Sequence, residues 1–394
     1  MATDRFGPIE FKDSPFASNE EVPNPDRDLQ EAESFLRENP RDIYGLTNKG
    51  VALGRLKRYR DAEETLREVK RLSLEKITPE SLGQASMIAF NLASFLDEGG
   101  LEDKSEQEYL DAIDLGAKSK VPGGLVFGAM AAYDLGIQHR NKQLPDVENL
   151  MSLSIDLGKE ADKPEGYFTA ARAAFNLGHI KLADGKIKEF ESLLTDAISF
   201  GRSAGIPRAL RTATQAALKL AAWLSIIGRD KQSRELLEEA AHIGSTTDTD
   251  DTNLQASLAS DLLGDNLKQA ERLIDAELAY RRAINLGKLS QKDKGLEIAT
   301  HASLKIGLLL DKTSFPDAQQ AYQEAISISR GTASANAQQY GAAAALLLGT
   351  AFDECGQTED AKAMYEEAIR MGDSSGTHVG IQTADQAREY LRNI

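Results

Sequence analysis

Four residues recur at one phase of the first half of this chain. Asn48, Asn91, Asp134 and Asn176 stand 42 or 43 residues apart, each within a stretch of helical apolar spacing. Asparagine disfavours helix interiors because its side chain competes for nearby backbone groups, so its recurrence needs a reason. A carboxamide donates through nitrogen and accepts through oxygen, and a row of them can pair with another main chain whatever that chain's sequence. The plainer reading, solvated or capping helix residues, explains single Asn residues less strainedly than it explains three Asn and an Asp at one phase. Tyr44, Met87, Met130 and Arg172 lie one turn earlier and suit the walls of side-chain pockets. In the second half the same phase carries Lys219, Leu262, Lys305 and Leu347. These lysines, with Arg55, Arg140, Arg172, Lys268 and Lys312, would make the face locally positive and favour an acidic ligand, although ordinary solvated cations read the same way.

Other chemistry finds no support. His139, His179, His242, His301 and His378 lie far apart without paired-ligand spacing, and those on helices read as partly exposed helix residues. Cys355 is a lone thiol, which excludes an internal disulfide and any cysteine zinc site. Neither G-x-S-x-G nor G-x-x-x-x-G-K-[ST] occurs. A formal charge of −16 over 394 residues disfavours nucleic-acid backbones and anionic membranes as main partners. No long apolar run and no signal core appear, so a cytoplasmic protein with no metal, no cofactor and no catalytic activity is expected.

What must position the polar row is a repeat. The phrase A-I-x-x-G returns as AIDLG at 112, SIDLG at 154, AISFG at 197, AAHIG at 240, AINLG at 283 and AIRMG at 368. Each copy also has a small residue in its first apolar stretch: Gly50, Ala93, Gly136, Gly178, Ala221, Gly264, Gly307 and Gly349. Two amphipathic stretches around a short turn make each copy a helical hairpin. The small slots let its helices approach, with Ala62, Ala276, Ala318 and Ala361 as matching small positions. Gly116, Gly158, Gly201, Gly244, Gly287 and Gly372 read as C-terminal stops of second helices, and Pro79, Pro122, Pro164 and Pro207 as starts of first helices. The prediction is an all-α protein: eight hairpins over about 43–376, a capping helix at 25–38 and a closing helix at 382–393. Together these form one solenoid, 25–394, behind a mobile arm at 1–24.

The run Gly50, Leu53, Tyr59, Ala62, Leu66 and the iterated A-x-x-x-Y/L-x-x-A-I resemble the tetratricopeptide repeat, over roughly 43–376. The period is longer than that family's 34 residues and is similar to that of kinesin light chains. The resemblance implies a right-handed superhelical solenoid whose first helices line a concave groove for an extended or helical peptide, with the Asn positions holding its backbone. A non-catalytic adaptor for a protein or peptide partner is expected. The other readings are a self-assembling scaffold that uses the arm or the closing helix, and a regulatory module that senses a peptide. The lysine clamp of chaperone-binding members is missing, because Thr47, Phe90, Tyr133, Phe175 and Leu218 occupy the preceding phase.

Overall fold

The computed structural model describes residues 24–246 and 249–394. The expected arm, save residue 24, lies outside the described residues. Eighteen α-helices, and no strand, make up the regular structure of the described residues. Two compact units divide the chain, the first ending at Lys186 and the second running Ile187–Ile394.

The first unit holds α1 Pro25–Glu38, α2 Ile43–Arg55, α3 Tyr59–Ser73, α4 Pro79–Glu98, α5 Glu102–Ser119, α6 Pro122–Asn141, α7 Val147–Glu160 and α8 Pro164–Ala183. The second holds α9 Ile187–Ala204, α10 Pro207–Ile226, α11 Asp230–Gly244, α12 Asp250–Gln269 and α13 Leu273–Leu289. It continues with α14 Asp293–Leu310, α15 Phe315–Arg330, α16 Ala335–Glu354, α17 Thr358–Ser375 and α18 His378–Asn393. The expected cap at 25–38 is α1. The closing helix begins at His378 rather than at 382, because the Thr377 hydroxyl accepts the Gly380 N–H at 3.0 Å and caps it there.

Local chemistry sets the starts of the first helices. Pro79, Pro122, Pro164 and Pro207 each open one, where the missing N–H has no helical partner to lose. Before α4, Thr78 and Ser81 form a reciprocal capping box. On α3 the buried face is Ala62, Leu66 and Val69, whereas α4 is buried all round from Ala85 to Leu96, including Phe90, whose ring centroid lies 6.2 Å from that of Tyr109 on α5.

Two expectations about small residues are corrected. The slots of the first helices receive large side chains rather than the matching alanines: Leu66 seats on Gly50, Tyr280 on Gly264, Tyr322 on Gly307 and Tyr365 on Gly349. Ala62, Ala276, Ala318 and Ala361 are buried one turn earlier. A β-carbon on Gly264 would lie 2.4 Å from the Tyr280 ring, so the slot is room for a ring. Most of the A-I-x-x-G glycines are not helix stops either, since α5 runs past Gly116 to Ser119 and α17 past Gly372 to Ser375, whereas Gly244 does end α11. They are crossing points: a β-carbon on Gly116 would stand 2.5 Å from the Gly124 carbonyl oxygen of the next first helix.

Candidate peptide-binding groove

In the first unit α4 lies along α6, and α6 reaches α8, while α2 and α4 touch at few points. The gap left between α2 and α4 is a cleft of about 390 Å³. Tyr44, Thr47 and Asn48 line it from α2, Gln84 and Met87 from α4, and Phe127 from α6, with Val121 at the turn before α6. The lining is chiefly apolar, with Thr47, Asn48, Glu80 and Gln84 as polar points. Such a space takes an apolar side chain, and a neighbouring amide fixes the main chain beside it.

The Asn48 side-chain nitrogen is buried and has no hydrogen-bond partner among the described residues. One turn along α4 from Met87, Asn91 is only 5% exposed, and its amide nitrogen also lacks a partner; so does the hydroxyl of Ser94, one turn further. A buried polar group left unmade costs roughly 1–3 kcal/mol. Three such groups lie on α2 and α4, each shielded from solvent.

The remaining rungs are engaged differently. Asp134 lines a separate cleft of about 270 Å³ with Asp97, Glu102, Gln138 and Lys142, where the Gln138 amide donates to Asp97 at 2.6 Å. Met130 is partly buried against the core formed by Phe90, Tyr109 and Leu135. Asn176 is spent within the unit. Its amide nitrogen donates to the Tyr133 hydroxyl at 3.0 Å and to the Arg172 carbonyl at 2.9 Å, and its oxygen accepts Arg140 at 2.7 Å. The Arg172 guanidinium lies over the Tyr133 ring, 4.1 Å from its centroid.

Lys219 and Lys305 belong to the second unit. Lys219 is exposed on α10. Lys305, on α14, donates to both Asp261 oxygens at 2.9 Å and to Asp265 at 2.8 Å, so its ammonium is neutralised across α12 and α14. The Tyr280 hydroxyl donates to Asp265 at 2.8 Å, and burial first, then that bond, raises the phenol well above its usual range.

The structure therefore brings Tyr44, Asn48 and Met87 to one cleft with Asn91 one turn beyond, and gathers Arg172 and Asn176 with Arg140. Sequence reasoning missed Phe127 and Tyr133. Tyr133 was legible only as the absence of a lysine, and the aromatic character of that phase was the available signal. His139 is buried rather than partly exposed, its Nδ1 2.6 Å from Asp146. Among the described residues no group of three or more His, Cys, Asp or Glu could hold a metal ion, and no helix is long and apolar enough to cross a membrane.

Residues 342–371 match the family model of the tetratricopeptide repeat. No curated protein matches the chain. Among solved structures, BtubC from P. vanneervenii is 18% identical, with 59% of this chain and 92% of that chain covered and a TM-score of 0.40. The C-terminal part of a TPR repeat-containing protein from Cytophaga hutchinsonii is 12% identical, covering 70% and 94%, with a TM-score of 0.41. A Signal Transduction ATPase with Numerous Domains protein with a tetratricopeptide repeat sensor, from Pyrococcus horikoshii, is 12% identical over 95% of this chain and 54% of that one, at a TM-score of 0.42.

Proposed function

We infer that this tetratricopeptide-repeat chain is a non-catalytic adaptor whose first unit captures an extended peptide segment of a partner protein along α2, α4 and α6. Repeats of this kind generally mediate contacts between proteins. The observation that carries the reading is the pair of buried amide nitrogens on Asn48 and Asn91, equivalent positions of successive first helices, neither with a hydrogen-bond partner among the described residues. A peptide main chain laid across them supplies carbonyl acceptors, and an apolar side chain of the same peptide fills the cleft between Tyr44, Met87 and Phe127. Main-chain pairing gives affinity without sequence, and the cleft adds selectivity for a bulky apolar residue.

Panning short random peptides displayed on phage against the full chain tests this. Enriched peptides should carry a bulky apolar residue and should slow amide hydrogen exchange in α2, α4 and α6. No enrichment, or protection confined to α10–α17, would contradict it.

A further inference from the structure

Arginines on the surface of this acidic chain commonly find carboxylates. Arg58 pairs with Asp61 at 2.7 Å, Arg71 with Glu68 and Glu75, and Arg202 with Glu239. Arg140 and Arg172 have no carboxylate ion pair among the described residues, yet both are held in place. Arg140 donates to Asn176, Asn176 donates to Tyr133, and Arg172 lies on the Tyr133 ring with the Phe168 ring 5.4 Å away. One run of contacts thus ties two guanidinium groups, on α6 and α8, to a single amide and a single ring.

All of those anchors are neutral. They fix position without cancelling charge, and neither guanidinium has a carboxylate ion pair among the described residues. Arginine keeps its proton throughout the physiological range and carries five donors, and the bond to Asn176 occupies one on Arg140. A planar fork of this kind matches a carboxylate through two parallel bonds.

We propose that Arg140 and Arg172 bind a carboxylate side chain of the captured peptide, so that this end of the groove selects an Asp or Glu. The proposal rests on the peptide reading above and adds the chemistry of one ligand residue to it. It also gives Asn176 a role distinct from that of Asn48 and Asn91, since Asn176 positions a cation where they face a main chain.

The test uses the most enriched displayed peptide, its twin with the acidic residue changed to the amide, and the full chain with Arg140→Gln and Arg172→Gln. Enriched peptides should share an acidic residue, and the amide twin should bind about tenfold or more weakly. The double arginine variant should lose the same factor for the acidic peptide and little for the amide twin. Circular dichroism of the variant should match the parent, and Arg172→Lys should retain part of the preference because it keeps the charge. If enriched peptides protect α2 and α4 but carry no common acid, or the variant binds both twins as the parent does, the carboxylate assignment falls while the peptide reading stands. If no peptide is enriched, both fall. A twin carrying phosphoserine that binds far more tightly than the acidic peptide overturns the carboxylate assignment in favour of phosphate.

Discussion

Asn176 and Tyr133, on adjacent first helices, are joined by a hydrogen bond of 3.0 Å from amide to hydroxyl. That bond separates the fourth rung of the polar row from the first two. Replacing Asn176 with Ala removes its bonds to Tyr133 and Arg140, leaving a partly buried hydroxyl without this donor. The expected loss of stability is about 1 kcal/mol, read from a urea melt. The same change at Asn48 or Asn91 should cost nothing, because Ala is the better helix former and no protein bond of the amide nitrogen is lost.

The slot glycines make a prediction whose sign opposes helix propensity. Gly264→Ala gains up to about 1 kcal/mol of intrinsic helix preference. Its methyl, however, would stand 2.4 Å from a Tyr280 ring that is fully buried and anchored to Asp265. Overpacking of this kind costs roughly 1–3 kcal/mol, so the variant should be less stable. Gly123→Ala, with nothing within 4 Å of its β-carbon, should be neutral or stabilising. Thermal melts of the two variants should move in opposite directions or show a loss only for Gly264→Ala.

Lys305 should matter to folding. Its side chain is 12% exposed and that of Asp261 7%, so Lys305→Met leaves a buried carboxylate without its cation. Breaking a buried pair from one side costs about 3–5 kcal/mol, and adding Asp261→Asn should return part of it. A Lys305→Met chain as stable as the parent would show that the pair contributes nothing. Reduced peptide capture by a chain that stays folded would instead place Lys305 in recognition.

Acid should loosen the second unit. Asp251 is held below the ordinary aspartate value of 3.8 chiefly by its bond to Lys292, which outweighs the opposing effect of burial, with Arg211 adding to it. Glu367 is held below the ordinary 4.5 by Arg370 and then Arg330. A depressed folded-state value means the unfolded chain takes up protons first as the pH falls. The contribution is therefore complete above the ordinary values and is lost as the pH drops through the depressed ones. The melting temperature of Asp251→Asn with Glu367→Gln should lie below the parent's at neutral pH and converge with it once the pH has fallen past the depressed values.

Much of this was readable in sequence because a repeat states its helices many times over. Pro79, Pro122, Pro164 and Pro207 marked helix starts, and Gly50 and Gly264 marked close approaches. What escaped reading was the identity of the partner across each approach. The knob in the Gly264 slot is Tyr280, one turn past the small residue Ala276, and a helical phase alone does not say which turn meets the slot. Gly116 looked like a stop because glycine often ends helices, whereas its reason is the carbonyl of Gly124 crossing it. The polar row was legible as a phase, but contacts one repeat away decide each rung. Tyr133 engages Asn176, and Asp261 and Asp265 engage Lys305, while no described residue hydrogen-bonds the amide nitrogens of Asn48 and Asn91.

The groove is tested most directly by isothermal titration of an enriched peptide into the full chain and into the chain with Asn48→Ala and Asn91→Ala. If those amides hold a peptide main chain, the double variant keeps its helicity and melting temperature and loses about 1–3 kcal/mol of binding free energy. A double variant that binds the peptide as tightly as the parent would contradict the account.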